Sequence, residues 1–334
     1  MIERMKRSTR IAALILGAWL SAQTPTIAAP TMAAQTMAAN APQSGFPTPD
    51  DAVTALITAL RAHDGGATGS ILGPGSEKLL HSGDPVLDRQ ETQRFLDAYT
   101  ARHTLTADGP DRQILHVGDN DWPLPIPLVR HDEAWRFDSK AGAREIIDRR
   151  IGRDELAAIS VALAYVDAQR AYFDLFKATT GTGVYARHLI STPGNYDGLY
   201  WPPAPGIPDS PLGPLVEAAV EEGYPGNIQS GRQIPYKGYY YRILTAQGPD
   251  AAGGARSYLE NGKMTGGFAL LAWPATYAGS GVMSFIVNQD GVVYQRDLGP
   301  ETAAKAAAIK AFNPSLDWAR IDITADAAAR PAAK

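Results

Sequence analysis

The sequence predicts an α+β protein made of two successive parts, each with helices followed by strands. Apolar residues recur at helical spacing in residues 49–60 and 154–173. Segments rich in β-branched and aromatic residues follow each helical region, at 113–137 and 238–298. Hydrophobic residues make up 45% of the 334 residues and charged residues 20%, which is typical of a globular chain.

The first residues predict a signal peptide. Four basic residues precede the uncharged apolar run 11–20, and small residues follow at 26–29. Ten apolar positions are too few to span a bilayer, although an uncleaved anchor is the alternative. We therefore predict a signal peptide at 1–29, cleaved near Ala28 or Ala29 after export by the general secretory pathway, and a periplasmic location without an integral membrane segment. Residues 30–45 are predicted to be a flexible linker, and 321–334 a disordered tail.

The composition excludes several kinds of chemistry. The chain has no cysteine, so it has no disulfide, thiolate metal site or cysteine nucleophile. Its net charge of −4 becomes more negative once residues 1–29 are removed, which argues against a nucleic-acid partner. Six scattered histidines have no metal-ligand spacing, and no serine-hydrolase elbow or phosphate-binding loop occurs. We predict no catalytic residue, cofactor or metal.

An N-terminal domain is predicted over 46–148, with its helices before its strands. Thr48 and Pro49 mark a helix start, and helices at 76–80 and 85–103 follow. Strands are expected at 113–117, 122–129 and 135–137. The prolines in 122–129 predict that this strand lies at the edge of the sheet. This order of elements resembles the cone-like fold of the nuclear-transport-factor-two-like proteins.

The resemblance to a cone implies a pocket. Its candidate residues are Tyr99, His103 and Asp121, with Trp122 as a wall. The alternative is that Trp122 anchors a hairpin and Asp121 is a turn residue.

The C-terminal domain is predicted over 149–320. Its helix, at 154–173, has an apolar stripe that begins at Leu156 and Ile159. Strands are expected at 238–244, 268–273, 282–287 and 292–298, and Asn288-Gln289-Asp290-Gly291 is a hairpin turn. The four strands predict an antiparallel sheet with the helix packed on one face.

Between helix and strands, residues 191–235 form a proline-rich loop, and this loop with the aromatic strand that follows it offers a candidate binding groove. Its members are Asp197, Tyr200, Trp201, Tyr239 and Tyr241. Aromatic faces of this kind bind a glycan or an extended peptide. The alternative is that Trp201 and the prolines fasten the loop to the sheet, and an acid–base pair of Asp197 and Asp209 would be the enzymatic version.

Over nearly the whole chain after the signal peptide, the sequence resembles the bacterial family of domains of unknown function DUF 2950. The matching stretches are FP (46–47), SGDPV (82–86), DWPLPIPLV (121–129), IGRDELAAI (151–159), YVDAQRAY (165–172), DGLYWP (197–202), SPLGPLV (210–216), GYYYRILTAQGP (238–249) and GVMSFIVNQDGVVYQRDLG (281–299). The resemblance implies an exported envelope protein and no known activity.

The second half also resembles the globular part of type IV pilins and pseudopilins. The similarity lies in the helix 154–173 and the strands 268–299. Pilins begin with a peptidase site and a membrane helix, whereas residues 46–150 stand here instead, so only a pilin-like fold is implied.

These observations predict an exported, non-catalytic envelope protein that binds or helps to assemble an envelope protein or glycan. One alternative is a small-molecule enzyme that uses the cone pocket. The other is a pilin-like docking module for a secretion or pilus partner.

Overall fold

The computed structural model describes residues 43–226 and 234–322, and in this part the predicted α+β class is confirmed. The predicted signal peptide, most of the linker and nearly all of the tail lie outside the described residues. The first helices and strands are α1 Pro49–Arg61, α2 Gly65–Leu72, α3 Glu77–Leu80, α4 Pro85–Ala101, β1 His103–Ala107, β2 Arg112–Val117, β3 Trp122–Pro123, β4 Leu128–His131 and β5 Ala134–Phe137.

Local signals define the first helices. Thr48 caps α1 by accepting the Asp51 N–H at 3.1 Å, with Pro49 in the first turn, as predicted. Asp64 caps α2 by accepting the Ala67 N–H at 2.9 Å. One face of α1 is buried in the core of this half, through residues such as Val53 and Leu56.

The first sheet is antiparallel, with strand order β1-β2-β4-β5 and β3 beside β2. The predicted strand 122–129 is interrupted, because Pro123, Pro125 and Pro127 cannot donate to a ladder. Helices α1 and α4 and this sheet enclose a hydrophobic core that includes Leu56 and Leu128.

A helix of 42 residues, α5 Ser139–Thr180, follows the first sheet. It is more than twice as long as the predicted 154–173, begins at the Asp138 cap and ends at Gly181 (φ +76°). A second hydrophobic core packs on its C-terminal half, and the described residues all belong to one compact unit. The predicted division at 148–149 lies inside this helix, and the two-domain description stays a prediction.

The remaining elements are β6 His188–Ile190, β7 Gly198–Tyr200, α6 Gly213–Glu221, β8 Tyr239–Leu244, β9 Ala246–Gln247, β10 Arg256–Ser257, β11 Leu259–Glu260, β12 Lys263–Met264, β13 Ala269–Pro274, β14 Met283–Asn288, β15 Val293–Asp297, α7 Thr302–Ala308 and β16 Ala319–Arg320. Among the described residues, no helix has both the length and the hydropathy to cross a bilayer.

The second main sheet has five antiparallel strands in the order β8-β13-β14-β15-β16. The four predicted strands occupy adjacent places, and Asn288–Gly291 closes the predicted hairpin between β14 and β15. The expected total of four was wrong, because the short polar strand β16 pairs with β15 at Tyr294 and Arg320. Helix α5 packs against β13, β14 and β15, as the pattern predicted.

Candidate functional site

A cleft with the properties of a ligand site lies among α1, α3, α4, α5 and the first sheet, and it is here called the N-terminal cleft. Its volume is about 510 Å³, within the usual range for small-molecule sites. Apolar side chains from these elements line it, among them Leu60 of α1, Leu79 of α3, Phe95 of α4, Trp122 of β3 and Ile146 of α5, together with Leu124.

Charged residues border this apolar surface, and most of them are arginines. Glu91 and Arg94 come from α4, whereas Arg149, Arg150 and Arg153 come from α5. Glu91 and Arg94 are three residues apart and therefore share one face of α4. Because Glu91 and Asp119 are the carboxylates in this lining, positive charge is in excess.

Two of the arginines hold the walls of the cleft together. The Arg150 side chain is 4% exposed; it donates to the carbonyl oxygens of Lys78 (2.8 Å) and Leu79 (2.6 Å) and forms a 3.0 Å ion pair with Glu91. Arg153 forms ion pairs with Glu91 and Asp154. Charge-assisted bonds therefore join α5 to α3 and α4, and they neutralise the Glu91 carboxylate.

The other two arginines are exposed and have less compensation. Arg149 pairs with Glu145, one turn earlier on α5, at 2.5 Å. In the described part of the chain, Arg94 has no hydrogen bond or ion pair. An exposed pair within one helix contributes little free energy, so both guanidiniums are available to an incoming anion.

Next to the cleft, a buried polar cluster joins the start of α4 to the start of β8; we call it the Asp84 joint. The Asp84 carboxylate is fully buried and accepts from the Tyr224 hydroxyl (2.8 Å) and the Gly238 N–H (3.0 Å). It also caps α4 by accepting from the Val86 and Leu87 N–H groups. Burial, with the neighbouring Asp84, raises the pKa of Tyr224, which therefore stays a hydroxyl donor.

A second buried carboxylate, Asp154, lies beside this joint. Its Oδ1 accepts from Arg153 at 3.2 Å, but its Oδ2 is buried without a hydrogen-bond partner. Burial raises the pKa of Asp154 from 3.8 to about 7, against the opposing effect of Arg153. The ionised form of this group is therefore unfavourable inside the folded protein.

The Asp154 shift gives a pH-dependent contribution to stability. Because the folded pKa exceeds the unfolded one, this contribution is complete below about pH 4 and is lost as the pH rises through 7. We expect the stability of Asp154→Asn relative to wild type to increase with pH over this interval, by about 1.4 kcal/mol per unit at most. Urea unfolding of both proteins from pH 4 to 8 measures the difference; a constant difference would contradict the prediction.

Residues 43–321 match the family described as "Protein of unknown function (DUF2950)". The chain belongs to this family. No curated protein and no solved structure matches this DUF2950 chain, so its pilin-like resemblance stays a prediction.

The groove residues predicted for this DUF2950 member are distributed over several environments. Trp201 is 3% exposed and its indole N–H donates to the Pro208 carbonyl at 2.8 Å, while Tyr239 is fully buried and its hydroxyl donates to the Met283 carbonyl. Asp197 accepts from the N–H and hydroxyl of Thr192, and Tyr200 is half-buried in β7. Both the Trp201 and the Tyr239 rings therefore pack in the second core.

Tyr241 lies in a different place, a second cleft of about 380 Å³ between α6 and the edge strand β8. Its hydroxyl donates to the Tyr236 carbonyl at 3.3 Å, and burial raises its pKa. The structure thus does not gather the five residues into one groove, and their part in binding stays a prediction.

The four residues predicted to form the cone pocket are also separated from one another. Trp122 lines the N-terminal cleft. Tyr99 and His103 stack on each other with ring centroids 3.8 Å apart, and Asp121 pairs with Arg102 (3.7 Å) and His116 (3.4 Å). None of these three is in the lining of the cleft, and their role as pocket residues stays a prediction.

The arginines of the cleft were missed by the sequence reasoning. A signal for them exists, because Arg149, Arg150 and Arg153 recur at helical spacing in a stretch that has no apolar stripe. No group of three or more metal-binding side chains occurs within residues 43–226 and 234–322.

Proposed function

We propose that this chain is an exported, non-catalytic binding protein of the bacterial envelope that holds the apolar part of a small ligand in the N-terminal cleft. The observation that carries the proposal is the cleft itself, with a volume of about 510 Å³ and apolar walls from helices and sheet. Export rests on the basic and apolar segments before residue 30.

The charged groups of the cleft favour binding over catalysis. Its lining contains no histidine, and the Glu91 carboxylate is held by both Arg150 and Arg153. A general base needs a free carboxylate or imidazole within reach of the substrate. Asp119, the other carboxylate, is exposed in a turn without a partner acid in the lining. This arrangement suits retention of a ligand better than its conversion.

The proposal is tested by filling the cleft. Ala98, in the lining, and Ala101, exposed near the end of the same helix, form a matched pair. With the neutral fluorescent probe N-phenyl-1-naphthylamine, we expect Ala98→Phe to weaken binding at least tenfold, because the new ring occupies the apolar volume, whereas Ala101→Phe leaves it unchanged.

Thermal unfolding of each variant establishes that it is folded, and Thr92→Trp fills the cleft from a second lining position. Equal probe affinity in wild type and both cleft-filling variants would refute the proposed site.

A further inference from the structure

We propose that the N-terminal cleft selects anionic amphiphiles, with the hydrocarbon chain against its apolar walls and a carboxylate or phosphate group at Arg94 and Arg149. This inference rests on the proposed function of the same cleft. It adds the chemical class of the ligand.

Positive charge is unevenly distributed around the lining of the cleft. Arg150 and Arg153 are already paired with Glu91, and Arg153 also with Asp154. Arg94 has no partner among the described residues, and Arg149 has only an exposed pair with Glu145, on its own helix, in which its side chain is 59% exposed. The positive charge of the cleft that neither Glu91 nor Asp154 neutralises is therefore on Arg94 and Arg149, which lie on two different helices.

Arg94 lies directly beside the apolar wall of the cleft. Arg94 precedes Phe95 and lies one turn before Ala98 on α4, and all three contribute to the lining. An anion held by Arg94 is therefore adjacent to apolar surface. A molecule that satisfies both requirements has a charged head and a hydrocarbon tail.

The chemistry of arginine determines which head group the cleft can bind. A guanidinium offers paired N–H donors that match the oxygens of a carboxylate or phosphate. Positive charge at the rim also disfavours a cationic head, and a neutral head gains no ion pair. Free fatty acids and phospholipid-derived phosphates share the required chemistry, and the experiment below separates them.

The experiment measures displacement of N-phenyl-1-naphthylamine by dodecanoate, dodecyl phosphate, dodecanol and dodecyltrimethylammonium, each below its micelle concentration. We expect at least one anion to bind tenfold or more tightly than dodecanol, and the trimethylammonium compound to bind most weakly. The tighter anion identifies the source as a fatty acid or a phosphate. Higher salt should weaken the anions and leave dodecanol unchanged.

Three arginine variants test the location. Arg94→Gln and Arg149→Gln should each reduce anion affinity about five- to tenfold and leave dodecanol affinity unchanged. Arg89→Gln is the matched control, because Arg89 is exposed on the same helix, has no partner among the described residues and is outside the lining.

The outcomes separate the two proposals. Equal affinity for dodecanol and both anions, or an equal loss in Arg89→Gln, would overturn the anion selectivity while the apolar site remains. Failure of every compound to displace the probe, or probe binding that Ala98→Phe does not alter, would overturn the proposed function itself.

Discussion

Substitution of Asp84 by alanine is expected to lower the free energy of unfolding by about 4 kcal/mol. The fully buried carboxylate accepts four hydrogen bonds, two from the first turn of α4 and two from Tyr224 and Gly238. Each buried donor left without an acceptor costs about 1–3 kcal/mol. Urea unfolding at constant pH measures the loss.

Asp64→Ala is the matched control for Asp84. Asp64 also caps a helix, by accepting the Ala67 N–H, but it is exposed and bonds only within its own turn. Its removal should cost about 1 kcal/mol, the ordinary value for a helix cap. If the two variants lose the same amount, the Asp84 joint adds no stability beyond capping.

Substitution of Gly142 by alanine should destabilise the protein by about 3 kcal/mol or more. The new Cβ would lie 2.0 Å from the Pro125 carbonyl oxygen and 2.6 Å from the Ile126 nitrogen, so backbone would have to move. This contact sets α5 against the first sheet next to the N-terminal cleft, which Ile126 and Ile146 both line. Weaker probe binding should therefore accompany the loss of stability.

Gly152 provides the control on the same helix. A Cβ at this position has no heavy atom within 4 Å, so Gly152→Ala should stabilise the protein by about 0.5–1 kcal/mol through helix propensity alone. Chemical unfolding of the two variants side by side checks the prediction. Stabilisation by both, or destabilisation by both, would contradict the packing assigned to α5.

Elements specified by local chemistry could be predicted from the sequence. The hydroxyl of Thr48, the ring of Pro49 and the acids that follow define the start of α1 without help from distant residues. The turn Asn288–Gly291 likewise contains its own signal, because Gly291 adopts φ +74°. The four long strands of the second sheet could be predicted from such turns and from segments rich in β-branched and aromatic residues.

Elements stabilised by distant contacts could not be predicted. Residues 139–153 have no continuous apolar stripe, and the helix there is held by the close approach of Gly142 to Pro125 and by the buried bonds of Arg150. Strand β16 is two exposed residues whose pairing with β15 is visible only in the fold.

The candidate site could not be predicted either, because it also depends on residues that are distant in the sequence. In the sequence, an aromatic residue in a proline-rich loop has the same signature whether it faces a ligand or anchors the loop. The hydrogen bond from the Trp201 indole to the Pro208 carbonyl could not be predicted from residue spacing. The arginines form a candidate site because α5 brings Arg149 beside an apolar cavity, and this placement is not visible in the sequence.

The continuity of α5 has a consequence for how this chain can be divided. Hydrolysis of the peptide bond at 148–149 would create two new helix ends, each with up to four backbone groups deprived of intrahelical partners. It would also detach Arg150 from Ile146, although both belong to the wall of one cavity. The two hydrophobic cores therefore share a backbone element that neither fragment could retain whole.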